Sequence, residues 1–413
     1  MRARRLAARW LIPVEGPPIE RAALLIDSAG RIEAVGPDAR VARPPDATAE
    51  DFGDAVILPG LINTHTHLEL TGFADQVRES DFTVWIRRLR ELKTTRTPAE
   101  YVDAARRGLQ ACFAAGVTTI ADTGDSGSAI QALAEADGSG VAYQEVFGPH
   151  PSQASESLAG LRDRVIQAGR WAVHRVRIGV SPHAPYSVSE PLLNAVSLWA
   201  RSERLPLAVH IAESRAEAEL LTSGTGPFAA AWQTRGIPLP PAPGRTPIEW
   251  LNAQGALTER TLCIHAVQAG PTDIELLAQS GSAVAHCPLS NAAHGHGQAP
   301  LSGLLQAGIR VGLGTDSEVS VGSLNLLAEA RAASALAGLT AHAAIELCTM
   351  GGARALGLDS ETGSIRGGKW ADCIVIKLPA HAVALPPAET ALAGSPADLL
   401  LTCMGGRDVY RAL

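Results

Sequence analysis

The chain has 413 residues, of which 46% are hydrophobic and 19% are charged, an ordinary balance for a globular protein with a large core. Its formal net charge of -7 gives no general attraction for nucleic acid or anionic membranes, so we expect neither as a partner. No run approaches the roughly twenty apolar residues that span a bilayer, so we expect a soluble protein.

Both ends of the chain contain short runs typical of β-strands. Residues 1–58 include AALLID and RIEAVG, separated by turn residues such as Gly, Pro and Asp. The arginine-rich start, MRARRLAARWLIP, is not followed by an apolar stretch of secretory length, so we do not interpret it as a targeting segment. Strand-like runs return in residues 358–413, which include ADCIVIKL. We predict a small composite β-sandwich domain built from 1–58 and 358–413.

Residues 59–357 alternate strand-like and helix-like segments. Runs of apolar and β-branched residues are separated by longer stretches of helical periodicity, such as PAEYVDAARRGLQACFAAG. The strand candidates are AVILPGLINTH, 117–123, 141–147, 176–181, 207–212, 261–267, 282–287 and 311–317. Eight strands with helices between them match a closed (β/α)8 barrel, so we predict this α/β fold, the TIM barrel, for 59–357.

A long connection rich in Gly and Pro, residues 224–247, separates the fifth and sixth predicted strands. Its length predicts an insertion over the strand ends, where a substrate loop or lid would lie. The six cysteines are scattered, without a CxxC pair. This pattern predicts reduced, buried thiols and a cytoplasmic location.

Histidine or aspartate stands at or just after the end of most predicted barrel strands. The residues are His65, His67, His183, His210, His265, His286 and Asp316. Because the carboxyl ends of barrel strands converge on one mouth, residues about 250 positions apart can be neighbours there. Three imidazoles and one carboxylate suit a divalent zinc or iron ion that keeps a position for water. We predict four ligands: His65, His67, His210 and Asp316.

A single histidine at a strand end is more often an ordinary hydrogen-bonded residue than a metal ligand. The metal interpretation depends on the set, because coincidence would have to place such residues at the same end of several strands. Glu213, in HIAE, would lie beside the metal-bound water, where it can protonate a ring nitrogen and then the departing amine. The alternative for Glu213 is a helix-start glutamate favoured by the helix dipole.

Six motifs, in this order, resemble those of the amidohydrolase superfamily: PGLINTHTH, SPHAPYS, HIAES, IHAV, VAHCPLSN and GLGTDS. Within it they are similar to cytosine-deaminase-like enzymes and to adenosine or S-adenosylhomocysteine deaminase-like enzymes. The resemblance implies one divalent metal ion, zinc or iron, held by the four ligands named above. It also implies that Glu213 is the proton shuttle, that His265 orients the attacking hydroxide, and that His183 contacts the substrate. We hypothesise that Asp316 helps His265 to orient the hydroxide.

The sequence lacks two features that would indicate other types of metal-dependent enzyme. Relatives with two metals bridge them by a carboxylated lysine at the end of the fourth strand, and none of the three lysines, Lys93, Lys369 and Lys377, lies there. We therefore expect a single metal. The other type of zinc deaminase needs a PCxxC pair, which this sequence lacks although His67 and Glu69 fit its HxE element.

The expected substrate is a small amino-substituted heterocycle that loses ammonia by hydrolysis. HTHLEL, FTVWIRRLRELK and HIAESRAEAELL resemble a subgroup that includes aminodeoxyfutalosine deaminases of menaquinone biosynthesis, which favours a 6-aminopurine nucleoside. We expect Glu69, Trp85 and Asn291, besides His183, to contact it, with Arg87, Arg88 and Arg90 either holding a sugar or carboxylate or forming a solvated helix face.

Other interpretations stay open at this point. The same metal site serves enzymes acting on guanine, cytosine or triazine rings, and a homodimer is compatible with the sequence. A catalytically silent barrel would lack at least one of the six central residues, and all are present. AAHGHGQAP, after VAHCPLSN, departs from the leucine-glycine loop of many relatives, and we favour a mobile loop for His294 and His296 over a pocket wall or a stray metal site.

Overall fold

Sixteen β-strands form two sheets in the computed structural model, which describes residues 2–172, 174–240, 244–379 and 385–412. The chain divides into two compact units. One comprises Met1–Asn63, Gln110–Thr119 and Leu324–Leu413, and the other comprises Thr64–Leu109 and Ile120–Ser323. The domain limits predicted from the sequence stay a proposal.

The strands fall into three groups along the chain. The first five are β1 (Arg4–Leu11), β2 (Ile19–Ile26), β3 (Ile32–Pro37), β4 (Thr48–Asp51) and β5 (Ala55–Pro59). Eight follow: β6 (Leu61–Thr66), β7 (Val117–Gly124), β8 (Gly140–Val146), β9 (Val176–Pro182), β10 (Leu207–Ile211), β11 (Thr261–His265), β12 (Ala283–His286) and β13 (Arg310–Leu313). The last three are β14 (Cys373–Lys377), β15 (Leu399–Met404) and β16 (Arg407–Arg411).

The first and last groups form one mixed sheet in the order β16-β15-β14-β5-β1-β2-β3, with β4 paired to β1. The two chain ends meet where β5 pairs antiparallel with β14. Apolar side chains from both ends, among them Leu6, Leu24, Ile57 and Val375, share one buried cluster. The composite β unit predicted from the sequence is therefore confirmed, and its strands belong to a single hydrogen-bonded sheet.

The middle group forms the barrel. Strands β6 to β13 are neighbours in sequence order, and the pairs with a described register are parallel. A parallel bridge between Thr66 and Asp316 joins the end of β6 to the residues after β13. This bridge brings the first and eighth strands together, and the predicted (β/α)8 barrel is confirmed.

Helices connect the strands and continue after the barrel. They are α1 (Phe82–Lys93), α2 (Pro98–Ala114), α3 (Ser128–Glu135), α4 (Ala154–Ala168), α5 (Glu190–Ser202), α6 (Arg215–Ser223), α7 (Gly226–Thr234), α8 (Pro247–Ala253), α9 (Pro271–Ser280), α10 (Pro288–Ala293), α11 (Leu301–Gln306), α12 (Glu318–Val321), α13 (Leu326–Ala337), α14 (Ala341–Glu346), α15 (Gly352–Ala355) and α16 (Pro387–Ala393). A π-helical turn, Leu347–Gly351, lies between α14 and α15. Among the described residues, no helix combines the length and apolarity needed to cross a bilayer.

The first predicted strand, AVILPGLINTH, is two strands. β5 ends at Pro59 and belongs to the sheet of the chain ends, whereas β6 starts at Leu61 and belongs to the barrel. Gly60 lies between them, where a Cβ atom would come within 2.2 Å of the Thr118 hydroxyl oxygen. The prediction of one strand was wrong because a continuous apolar run does not reveal where a chain passes from one sheet to another.

Candidate metal centre and active site

Six residues predicted as ligands or catalytic groups lie together at the carboxyl ends of the barrel strands. His65 belongs to β6 and is followed by His67, His210 belongs to β10 and is followed by Glu213, His265 ends β11, and Asp316 follows β13. All of them lie in the second compact unit. The closed barrel brings these strand ends to one mouth, as the sequence predicted.

The turns at these strand ends have an unusual backbone. Ala212, His265, Ala266 and Asp316 have φ values of 52°, 76°, 49° and 58°. Residues other than glycine rarely adopt positive φ, and they do so mostly where the surroundings fix the chain. The Asp316 N–H donates to the His65 carbonyl at 3.0 Å, and its carbonyl accepts from the Thr66 hydroxyl at 3.1 Å. These contacts hold Asp316 beside the histidines of β6.

The distances between four potential ligand atoms fit tetrahedral coordination of one ion. Asp316 Oδ1 is 3.5 Å from His65 Nε2 and 3.5 Å from His67 Nε2. His67 Nε2 is in turn 3.3 Å from His210 Nε2. Two ligands each about 2.05 Å from a tetrahedral zinc ion are about 3.3 Å apart. The donors therefore fit one divalent cation without a rearrangement of the strands.

Hydrogen bonds to the far side of two imidazoles orient them. His67 Nδ1 is 2.8 Å from the Thr123 carbonyl oxygen, and His210 Nδ1 is 3.2 Å from the His183 carbonyl oxygen. A carbonyl only accepts, so Nδ1 carries the proton in both rings and Nε2 keeps its lone pair. Asp316 Oδ2 similarly accepts from the Ser290 hydroxyl at 2.6 Å. Such outer contacts fix ligands for a metal.

Burial and local charge keep the ligands in the state that binds a cation. Burial lowers the pKa of His65, His67 and His210, so their imidazoles are neutral at neutral pH. Burial alone would raise the pKa of Asp316, but the neighbouring histidines hold it well below its usual value. Neutral imidazoles and an ionised carboxylate are the ligand forms that metal binding requires.

Glu213 lies beside this group of ligands with an ionised carboxylate. Its Oε1 is 3.5 Å from His265 Nε2 and 3.4 Å from His296 Nε2. Burial would raise the pKa of Glu213, but these two rings lower it to about 2. The backbone N–H of Glu213 donates to the buried carboxyl of Glu217 at 3.0 Å, as does the Ala212 N–H at 2.8 Å. Glu217, which the sequence did not single out, thus fixes the turn that carries Glu213.

His265 and Asn291 form a buried pair. His265 Nδ1 is 3.0 Å from Asn291 Oδ1, and both side chains are almost fully buried. A group of possible ligand atoms also includes His265 with His65 and His210, so geometry alone does not separate His265 from a ligand. Asn291 was expected to contact substrate, but the structure gives it this contact with His265 and places it outside the cavity wall.

A cavity of about 450 Å³, within the usual range for small-ligand sites, opens onto five of the six residues, all except His65. Trp85 and His183, both expected to contact substrate, line it. His183 Nδ1 is 2.7 Å from the Ser187 hydroxyl, and this contact does not involve Nε2 on the other side of the ring.

The 224–247 connection contributes α7, whose Phe228 and Trp232 line the same cavity. The predicted insertion over the strand ends therefore contains a helix; its residues 241–243 lie outside the described residues.

Glu69 lies away from the cavity, in a buried ion pair. Its carboxylate accepts from Lys93 Nζ at 2.7 Å and also from the Ser126 hydroxyl. Lys93 in addition donates to Asp125 at 2.5 Å and is itself part of the cavity wall. Lys93 is the member of the pair that faces the cavity, because the ion pair holds the Glu69 carboxylate behind it; a substrate contact of Glu69 stays a prediction.

Several cavity residues were not predicted from the sequence or were left undecided. Lys93, Arg87 and Arg90 all belong to α1, and their spacing of three puts them on one side of the helix. Arg235, at the end of α7, also lines the cavity. Glu145, at the end of β8, is buried there, and its Oε1 has no hydrogen-bond partner among the described residues. The helical period of α1 was the signal available for the first three.

His294 and His296 belong to the active-site wall. His294 lines the cavity and packs edge-on against Trp85, with ring centroids 4.6 Å apart. His296 is buried and packs edge-on against Phe82 at 4.4 Å. These ring contacts favour a pocket wall, the alternative that the sequence left open, over the mobile loop.

One family model and two known relatives match most of this chain. The model of the amidohydrolase family matches residues 56–402. An aminodeoxyfutalosine deaminase from Deinococcus radiodurans is 32% identical over 350 residues, covering 80% of this chain and 82% of the relative. A 5-methylthioadenosine/S-adenosylhomocysteine deaminase from Moorella thermoacetica is 30% identical over 379 residues, covering 89% of this chain and 84% of the relative.

Solved structures share the fold. A crystal structure of an adenosine deaminase from Xanthomonas campestris with bound zinc superposes with a TM-score of 0.85 at 24% identity. The match covers 98% of this chain and 92% of that one. At this identity the likeness supports the architecture of the barrel and the accompanying sheet.

Proposed function

Because this chain belongs to the amidohydrolase family, we propose that it is a metal-dependent aminohydrolase that releases ammonia from a 6-aminopurine nucleoside. The observation that carries the proposal is the position of Glu213, whose carboxylate lies 3.5 Å from His265 Nε2 beside the four convergent ligand atoms. A proton-transfer group next to a site for an activated water is what hydrolytic deamination requires.

We propose that His65, His67, His210 and Asp316 hold one metal ion, with zinc as the first choice and iron(II) as the alternative. The donor set of three imidazoles and one carboxylate supports both metals, and the zinc in the Xanthomonas campestris protein supports the first. When bound, the cation would supply Lewis-acid activation of a water molecule at neutral pH. No described lysine lies at the end of β9, which agrees with a site for one ion.

The chain's own residues carry the proton transfers. The ionised Glu213 accepts a proton from the attacking water and delivers it to a ring nitrogen of the purine, while His265 and Asp316 orient the water. The water oxygen forms a bond to the amine-bearing carbon. Glu213 then assists proton delivery to the amino group, the carbon–nitrogen bond breaks, and ammonia leaves a 6-oxopurine product. An ionised carboxylate in the resting enzyme is the form that this order of steps needs.

The cavity wall supports a nucleoside with an extended, carboxylate-bearing 5′ substituent, such as aminodeoxyfutalosine or S-adenosylhomocysteine. Arg90 and Arg235 line the cavity, are exposed, and form no ion pair among the described residues. Aromatic side chains of Phe147, Phe228 and Trp232 line the same cavity and can pack against an apolar part of such a substituent. His183 and Trp85 are the proposed contacts to the purine and sugar.

The decisive experiment is an ammonia-release screen of the purified, metal-analysed protein. The panel comprises adenosine, 5′-deoxyadenosine, methylthioadenosine, S-adenosylhomocysteine and aminodeoxyfutalosine, with guanine, cytosine and a triazine as the competing ring types. We expect release from the adenine nucleosides at the highest kcat/KM. Release only from guanine, cytosine or a triazine, or from none of the panel, would refute the proposal. The predicted cytoplasmic location is supported by six buried cysteines, none of which forms a disulfide, and, like the homodimer, stays a prediction.

A further inference from the structure

The turn after α10 brings a second imidazole to Glu213. Gly295 and Gly297 have φ values of 67° and 102°, and this left-handed backbone on each side of His296 reverses the chain. The His296 N–H donates to the Asn291 carbonyl at 2.9 Å, and the His296 carbonyl accepts from the Gln268 side chain at 2.7 Å. Hydrogen bonds therefore hold both the N–H and the carbonyl of His296, and the fixed backbone sets the direction of its side chain.

The ring of His296 is packed and buried. Its side chain is 4% exposed, and it lies edge-on to Phe82 and stacked on His294, with ring centroids 4.4 and 5.4 Å away. Its Nε2 lies 3.4 Å from Glu213 Oε1, and this buried nitrogen has no hydrogen-bond partner among the described residues. A buried ring nitrogen aimed at a buried carboxylate calls for a proton between them.

The other imidazole at Glu213 cannot supply that proton while it is neutral. With the Asn291 amide oriented as in the structure, its oxygen accepts from His265 Nδ1 at 3.0 Å. The neutral His265 ring then has its lone pair on Nε2, the atom 3.5 Å from Glu213 Oε1. His296, whose Nδ1 has no such carbonyl partner among the described residues, is free to carry its proton on Nε2.

We propose that His296 is a positioning residue for the proton shuttle: its Nε2–H donates to Oε1 of Glu213 and leaves Oε2 to exchange protons with water and substrate. The inference rests on the proposed function, because it assumes that Glu213 transfers protons. Asn291 couples the two rings, since its side chain holds His265 and its carbonyl holds the backbone of His296. The short turn His294–Gly297 thereby becomes part of the machinery for proton transfer.

The test compares two substitutions at one position. His296→Phe keeps a ring against Phe82 but removes the donor, and His296→Gln restores an N–H of similar reach. For the Phe variant we expect kcat to fall by about 10- to 100-fold, the range seen when outer-shell partners of an active group are removed, with KM within about threefold. For the Gln variant we expect kcat within about threefold of the wild type, because the amide can again donate to Oε1.

The pH profile gives a readout that packing alone would not change. A donor to the ionised carboxylate lowers its pKa, so loss of the donor raises the pKa of Glu213. The acid limb of the kcat profile, below which Glu213 is protonated and cannot accept a proton, is expected to move to higher pH in the Phe variant and to return in the Gln variant. His342→Phe removes an imidazole that lies on α14, outside the cavity wall, so its acid limb is expected to match the wild type. Metal content and melting temperature are measured for all three.

The outcomes separate this inference from the proposed function. Equal kcat and equal acid limbs for wild type, Phe and Gln variants would overturn the role of His296. A kcat loss shared by the Phe and Gln variants, with an unmoved acid limb, would also overturn it. Failure of the proposed function shows instead as a fully active Glu213→Gln variant or as no ammonia release by the wild type. Donor-dependent kcat together with a donor-dependent acid limb supports the assignment.

Discussion

Replacing Glu69 by Gln tests the buried ion pair that supports the cavity wall. Glu69 is 1% exposed, its carboxylate accepts from Lys93 at 2.7 Å, and Lys93 reaches the cavity from α1. Burial raises the pKa of Glu69, but Lys93 outweighs this and lowers it from 4.5 to about 2. A pKa difference of about 2.5 corresponds to about 3 kcal/mol of stabilisation of the folded state. This agrees with the range of about 3 to 5 kcal/mol for the loss of one partner from a buried pair.

The expected result is a lower melting temperature for Glu69→Gln at pH 7, by about 6 °C at about 2 °C per kcal/mol for a unit of this size. The double variant Glu69→Gln/Lys93→Met should be less stable than the single variant, because Lys93 still pairs with Asp125 at 2.5 Å in the single variant and the double variant removes that partner too. Both variants are scanned with the same metal occupancy as the wild type, since bound metal also raises the melting temperature.

The sign of the pH dependence follows from the direction of the pKa shift. The folded pKa of Glu69 is below its unfolded value, so its contribution is complete above about pH 4.5 and is lost as the pH falls towards about 2. The difference in melting temperature between wild type and Glu69→Gln should therefore shrink as the pH is lowered through this window. A loss below about 1 °C at pH 7, or a double variant more stable than the single one, would refute the reasoning.

Three further predictions concern the active site. Glu213→Gln should retain its metal by elemental analysis while kcat falls by about 10²- to 10⁴-fold, the contribution of a positioned acid or base; unchanged turnover would remove Glu213 from the mechanism. His210→Asn should weaken metal binding by at least about tenfold in a chelator titration, and wild-type affinity would contradict its assignment as a ligand. Arg90→Gln should raise KM about fivefold for a carboxylate-bearing adenine nucleoside and leave adenosine unchanged, as expected for about 1 kcal/mol from an exposed charge pair. Arg88→Gln, on the same helix but paired with Glu91 outside the cavity, is its matched control, and an equal effect on adenosine and the anionic nucleoside would argue against the role of Arg90.

The barrel and the cluster of six polar residues could be predicted because both follow from strand periodicity. His65 and His67 are two positions apart at a strand end. His210 and Asp316 follow the same ends of other strands, and a closed barrel brings all these ends to one mouth. The break at Gly60 could not be predicted, because the residues before and after it are equally apolar. Those of β5 are buried in the sheet of the chain ends, and those of β6 are buried in the barrel. The fold was confirmed, whereas the roles of the individual site residues stay predictions.

Side chains outside the strands were harder to place. Lys93 comes from α1, and the sequence does not tell which side of that helix turns to the cavity. The position of His296 depends on two glycines with left-handed backbone, a conformation that a sequence permits but does not require. Glu69 was expected at the substrate because it follows His67 closely, yet an ion pair with a helix 24 residues further along decides its place.

The bridge between Thr66 and Asp316 has a consequence for the order in which the protein is made. These residues are 250 positions apart, and the ligands they adjoin come from the first and the last strand of the barrel. A ribosome must release almost all of the barrel before both halves of the metal site exist. With the proposed ligand set, a nascent chain that stops before β13 offers a cation only the three histidines, so the complete set of four ligands requires the finished barrel.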